Sequence, residues 1–458
     1  MPQRRFSSVF ALLFALGCSS SSQQPVWTVG TVYPSSKEPD ARGFLDVRGL
    51  IHEHSVYSHD ACDGHPMPDG KPDAVCLADF RRGLCAVQHD FCFLSDHRGT
   101  FAEHEYPDVL LYDAQQGDKL VVRDGDPVAS WMACPDGHFA LIMAGTESGT
   151  MPVGLEHHVA GTIQERGDTY DEVSADAIGQ FKAAGAVALV AHTEGWTVDQ
   201  IVTLPLDGFE MYNLHANTMM RGDVALNILG RVIEKDPGLP KPDLIFLEIF
   251  SEDSHYLSTW GSVLARGVHR VTTMATDAHR NSFPQLMADG ERIDSYRRMD
   301  SWFSNHLLIR TDSHGAWDDR ALKSALLAER LYGAFEVMGY PVGFDYHAQV
   351  GADIAEMGST VRLADHPMLV VKRPHVKNLD PKRTPPRITV RLLEAKEGGW
   401  DEVAHADGDV AFAPTEPGAY RAEVRMVPEH LRPDLGADAD ALLSHDYPWI
   451  YSNAIYVL

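Results

Sequence analysis

Apolar residues along this chain fall in short blocks separated by polar segments. The blocks at 91–94 (FCFL), 140–144 (ALIMA), 187–191 (VALVA) and 272–275 (TTMA) are continuous, not alternating, which is the pattern of strands covered on both faces. Between them, 175–184 (ADAIGQFKAA) and 224–233 (VALNILGRVI) have helical texture. Strand-then-helix order repeated through the middle of the chain predicts an α/β layer or barrel with a mostly parallel sheet. Near residue 350 the texture changes. Runs at 368–371, 387–393 and 419–427, turns such as Glu416-Pro417-Gly418 and a closing run at 448–458 predict a C-terminal β-sandwich of about 100 residues.

The first residues read as a targeting segment. Arg4 and Arg5 precede an apolar run at 9–16, then Gly17-Cys18 and four serines at 19–22. That run is too short to span a bilayer and has the size of a signal-peptide core. Cys18 after a small residue resembles a bacterial lipobox, with Ala15 where leucine is usual. The expectation is an exported chain on the periplasmic or cell-surface side, held to the membrane by a lipid on Cys18. An oxidising compartment permits disulfides. Cys62 and Cys76 bracket a Pro/Gly/Asp-rich loop and are the first candidates for a bridge. The five cysteines after Cys18 leave at least one unpaired within the chain.

Composition sharpens this picture at one point. The 458 residues include 65 Asp+Glu against 39 Lys+Arg, a net charge of −26, and 23 histidines. Such an acidic balance opposes binding of polymeric nucleic acid, which needs a cationic surface. Histidine beside carboxylate points instead to metal, and the placement of these residues supports that. His52-Glu53-His54-Ser55 follows Gly49-Leu50-Ile51; Ser95-Asp96-His97 follows FCFL; Gly145-Thr146-Glu147 follows ALIMA; His192 follows VALVA; and Thr276-Asp277-Ala278-His279 follows TTMA. In a strand, His52 and His54 would share one face. Five strand ends closing on His, Asp or Glu predict a rim of buried ionisable groups. Such groups cost several kcal/mol each unless they are paired or metal-bound, so the rim implies more than one divalent cation.

The order of these groups resembles the PHP (polymerase and histidinol phosphatase) superfamily of metal-dependent phosphoesterases. The resemblance runs from about Asp46 to about Val342 and rests on His52/His54 with Ser55, Ser58 and Asp60, then Asp96-His97, Gly145–Glu147, His158–Gly161, Ala191-His192 and Asp277/His279. The segment 209–213 (FEMYN) also looks like part of the pattern. His59 intervenes before Asp60, so Asp63 or His59 could take the Asp60 role, and His157 could replace His158.

The resemblance implies a distorted (β/α)7 barrel over 25–349, after a signal and tether at 1–24 and before the sandwich at 350–458. It also implies two or three divalent ions (manganese, iron or zinc). One ion would be held by His52, His54, Glu147 and Asp277, a second by Glu147, His158 and His192, and a third by Asp60, His97 and His279. A hydroxide shared between cations would be the nucleophile, with Glu147, Asp277 and the oxyanion-binding candidate Arg280 as the catalytic group. Arg98 is a further candidate, and Asp96 a candidate for orienting an imidazole. Trp196, Tyr212 and Trp260 could line a pocket, although core packing is the commoner fate of such side chains.

The expected activity is hydrolysis of a small phosphate ester. A carboxyl- or carbamate-ester metallohydrolase is the alternative, because the end of the barrel region and the closing SNAIYVL look like secreted members of a branch that includes carbamate-ester hydrolases. A non-catalytic surface lipoprotein binding glycan or protein is the reading from another class.

Overall fold

The computed structural model describes residues 25–40 and 42–458; the signal-like segment and Cys18 lie outside the described residues. The chain is a mixed α/β structure built on one large mixed sheet. At its centre Leu45–Glu53, Phe91–Leu94 and Phe139–Glu147 run parallel to one another. These three are buried almost along their whole length, as continuous apolar runs require.

On one side Phe139–Glu147 continues antiparallel into Asp126–Ala133 and Lys119–Arg123. On the other, Leu45–Glu53 pairs antiparallel with Ser304–Ile309, which pairs with Leu331–Ala334, which pairs with Tyr447–Val457. The sheet then runs on through Gly418–Val427, Arg387–Lys396 and Gly399–Ala406.

The sheet therefore runs without a break from the site-bearing strands into the C-terminal region expected to form a sandwich. A second layer exists, formed by Asp353–Glu356, Asp345–Val350, Met368–Lys372 and Val410–Phe412. It packs through Tyr346, Leu369 and Val371 into the same core as Leu392, Val424 and Ile455. Its partner layer, however, is the extension of the site-bearing sheet, and a division at 349/350 falls inside the strand Asp345–Val350.

Among the described residues no ladder closes the sheet into a barrel. Gly208–Asn213 and Val271–Ala275 form a separate parallel pair. Asparagine side chains do the joining there. Asn305 accepts from Met274 N (3.0 Å) and donates to Met274 O (2.8 Å), and Asn453 does the same with Thr272 N (2.8 Å) and Thr272 O (2.9 Å). A carboxamide offers one acceptor and two donors, so it can stand in for a missing strand neighbour. Through Asn453, the C-terminal strand holds the strand that leads to Asp277.

Two predicted helices are present as Ala175–Ala183, capped by Ser174, and Gly222–Ile233. Ala74–Ala86 begins on Asp73, whose carboxylate accepts from Val75 N and Cys76 N. Cys62–Cys76 ties that helix to the loop after His54, Cys85–Cys134 is a second disulfide, and Cys92 is free and buried.

Candidate metal centre

The site is set by where the central strands stop. Leu45–Glu53 carries an irregularity between Ile51 and Glu53, with His52 at φ 80°. This bulge turns His52 and His54 to one side and Glu53 to the other. His192 (φ 49°), Asp277 (φ 57°) and Arg280 (φ 54°) are also left-handed. Such conformations cost of order 1–3 kcal/mol each in a residue with a side chain, and here they cluster at one place. Gly145 is required by close approach: a Cβ there would lie 2.3 Å from Leu94 O. That contact sets Glu147 directly over Ser95, with Glu147 N donating to Ser95 O at 3.1 Å.

Four imidazoles are oriented in the same way. His52 Nδ1 donates to Glu210 Oε1 (2.5 Å), His54 Nδ1 to Ser58 Oγ (3.0 Å), His97 Nδ1 to Glu147 O (3.4 Å) and His279 Nδ1 to Asp277 O (2.9 Å). With each Nδ1 proton engaged, each Nε2 presents a lone pair, the arrangement of metal-ligating histidine. Those Nε2 atoms converge on carboxylates. His52 Nε2 lies 3.1 Å from Glu147 Oε2 and 3.0 Å from Asp277 Oδ1; His54 Nε2 lies 3.2 Å from both. His97 and His279 Nε2 lie 3.5 and 3.4 Å from Asp60 Oδ2. Asp277 Oδ1 and His279 Nε2 are buried without an aligned hydrogen bond. Donor atoms at this spacing, some of them orphaned, fit divalent cations. His52, His54, Glu147 and Asp277 make one potential ligand group, and His54, His97 and His279 a second.

Several of these imidazoles would carry a proton on the inward nitrogen wherever a cation does not take its place. Burial pushes the His192 imidazole down, but hydrogen bonds to Asp277 and Glu147 outweigh it and hold it up at about 11; the same opposition leaves His54 at about 9. Glu147 and Asp277 are held well below the carboxylate range against burial, mainly by the charge of His52. His279 goes the other way, down to about 4, through burial and then the neighbouring His54. Glu147 and Asp277 therefore call for positive charge, while His279 keeps a free lone pair.

Of the nine sequence-predicted ligands, eight meet here: His52, His54, Asp60, His97, Glu147, His192, Asp277 and His279. His158 does not. Its Nδ1 faces Tyr170 Oη (2.9 Å), its Nε2 faces His104 O (2.7 Å), and burial lowers it to about 4. His157, its alternative, is exposed. Asp96 orients no imidazole; it accepts from Ser55 N (2.6 Å) and Ser55 Oγ (2.8 Å), and burial raises it to about 6. The helper of His52 is instead Glu210, and His215 Nδ1 lies 3.2 Å from Asp277 Oδ2. Neither residue had been assigned a role from sequence.

Arg280 lines a narrow cavity of ≈ 40 Å³ beside Asp277, with Phe246, Phe283, Met299 and Trp302, but its Nε is paired with Asp79 (2.8 Å). Arg98 is paired with Asp171. Tyr212 and Trp260 belong to the core. Cys134, Asp136 and His138 also lie close together, but Cys134 is in a disulfide and offers no thiolate. No helix of the described residues is long and apolar enough to cross a membrane. Compared with protein-family models, with curated proteins and with solved structures, the chain finds no match.

Proposed function

We propose that this chain is an exported metal-dependent hydrolase of PHP type acting on a small phosphate ester. The observation that carries the reading is the set of Nδ1-anchored imidazoles whose Nε2 atoms converge on Glu147, Asp277 and Asp60. His52, His54, Glu147 and Asp277 would hold one divalent ion, and His97, His279 and Asp60 another; zinc, manganese and iron all suit such donors. Bound cations make water acidic enough to attack near neutral pH and offset charge developing on the ester oxygen. The protein's part is to fix the donors: Glu210 holds His52, Ser58 holds both His54 and Asp60, and Phe246, Phe283 and Trp302 wall one side.

The ring of strands reads as a strongly distorted seven-stranded β/α barrel. Hydrogen bonds from Val190 N to Gly208 O and from Glu210 N to Val190 O, together with the Asn305 bridge, support it. Two disulfides favour an oxidising compartment. Membrane anchoring through Cys18 predicts that Cys18→Ala moves the protein from the membrane to the soluble fraction.

A second reading, carboxyl- or carbamate-ester hydrolysis, is favoured by one observation. Both candidate oxyanion arginines are already paired with carboxylates, and the neighbouring cavity is largely apolar. Metal analysis of protein purified without chelator, with a panel of phosphate monoesters and diesters, carboxyl esters and carbamates, tests both. Chelator-sensitive hydrolysis of one class is expected. Protein without bound metal, or hydrolysis unchanged in Asp277→Ala, would leave the non-catalytic lipoprotein reading instead.

A further inference from the structure

We infer that His215 ligates a second metal ion beside His192, in the place that the resemblance gives to His158, and that Asp277 as well as Glu147 spans the two ions. The inference rests on the metallohydrolase reading and goes beyond it in the ligands it names.

The two carboxylates divide their oxygens between different imidazoles. Glu147 turns Oε2 to His52 and His54 (3.1 and 3.2 Å) and Oε1 to His192 Nε2 (3.0 Å). Asp277 makes the same division. Its Oδ1 faces His52 and His54 (3.0 and 3.2 Å), and its Oδ2 faces His192 Nε2 (3.0 Å) and His215 Nδ1 (3.2 Å). Two carboxylates that each present one oxygen to His52 and His54 and the other to His192, with Asp277 Oδ2 facing His215 as well, describe two adjacent cation positions. The imidazole pair at the first is His52 and His54; that at the second is His192 and His215. The His192 and His215 rings are 6.3 Å apart and nearly perpendicular, so they approach Asp277 Oδ2 from different directions.

The backbone holds this second pair deliberately in place. Glu210 Oε2 accepts from His192 N (3.3 Å) and from Asn213 Nδ2 (3.1 Å), while Glu210 Oε1 holds His52. Asn213 caps the helix Leu214–Met220 through Ala216 N (2.9 Å), and His215 is the second residue of that helix. One buried carboxylate thus fixes members of both pairs. The His215 side chain is 46% exposed, which leaves solvent on one side, as a catalytic metal position needs. His158 has no comparable route to the site, because both its ring nitrogens are engaged elsewhere.

Metal content per chain is measured for wild type, His215→Ala and His158→Gln, with circular dichroism to confirm folding. His215→Ala should lose about one ion relative to wild type, and His158→Gln should keep the full content. His215→Cys loaded with cobalt should show sulfur-to-cobalt charge-transfer absorption, which a residue that only hydrogen-bonds Asp277 cannot produce. Unchanged metal content in His215→Ala, an equal loss in His158→Gln, or a cobalt spectrum of His215→Cys without that absorption overturns the inference and leaves the hydrolase reading standing. Wild-type protein that binds no metal overturns both.

Discussion

The clusters around Asp277 and around His306 use the same residue types at similar burial, yet their atoms are disposed in opposite ways. At His306 the groups match one another. Nδ1 meets Asp46 Oδ1 (2.9 Å) and Nε2 meets Glu336 Oε1 (3.0 Å), while Tyr332 donates to Asp46 Oδ2 (2.6 Å) and Arg48 pairs with Glu336 Oε2. Arg48 and a protonated His306 balance Asp46 and Glu336, and every carboxylate oxygen has a donor. At Asp277 the imidazole protons point outward to helpers and the lone pairs point inward at carboxylates, with Asp277 Oδ1 and His279 Nε2 left over. In the first cluster every acceptor is met from within and only Arg48 Nε lacks a partner, while in the second an acceptor oxygen and an imidazole lone pair are left facing inward. That difference separates an ion-pair network that holds a fold from a donor set suited to a cation.

The largest expected effect breaks the second cluster. Asp277→Ala removes the atoms facing His52, His54, His192 and His215, so hydrolysis should fall to background and metal content should drop to at most the ion of His97, His279 and Asp60, in a protein that still folds. A metal titration followed by calorimetry, alongside the activity assay, checks this. Next comes the first cluster. Glu336→Ala strands Arg48 and His306 and should lower stability by about 3–5 kcal/mol, read from denaturant melts, with metal content per folded chain unchanged. If instead Glu336→Ala loses metal in the folded protein, the two clusters are one coupled network.

A smaller effect follows from pH. Burial alone would lower His306, but Asp46 outweighs it and raises it to about 9. Its folded value therefore lies above the unfolded value of about 6.5. The stabilisation is full below about 6.5 and is lost as pH rises through about 9, on the order of 3 kcal/mol. Thermal melts between pH 6 and 10 should show an alkaline decline that His306→Gln lacks.

What could be read from the chain follows the range of the interactions involved. The strand ends bearing His97, Glu147, His192 and Asp277 were legible because an apolar run and the polar residue that ends it are adjacent in sequence. His215 obeys the same rule one strand later, after Gly208–Asn213, but an Asn-capped helix start hides it. A histidine just beyond a strand and an N-cap asparagine was the available signal. His158 is placed apart from the other candidates, in a bent segment that ends on Gly161 at φ 125°, with both ring nitrogens engaged. The C-terminal strands were legible one by one, but not the sheet they join. That depends on Leu331–Ala334 pairing with Tyr447–Val457, and on Asn453 reaching Thr272, contacts between segments remote in sequence. Local periodicity carries no information about such pairings.

The finest test of the comparison is Glu210→Gln, which leaves every proposed metal ligand in place. Glutamine is nearly isosteric and its oxygen can still accept the His52 Nδ1 proton, so His52 should keep its orientation. What is lost is the negative charge that makes His52 a stronger donor and that also receives His192 N and Asn213. Such helper carboxylates are worth about 10–100-fold in metal affinity, and a substitution that preserves the hydrogen bond belongs near the lower end. Metal dissociation constants from competition with a chromophoric chelator measure this directly. If Glu210 were only another ion-pair partner of the His306 kind, the variant would lower the melting temperature and leave metal affinity alone. If it serves the donor set, affinity falls about 10-fold, in addition to the lower melting temperature expected from the amide NH2 that would face His192 N and Asn213 Nδ2.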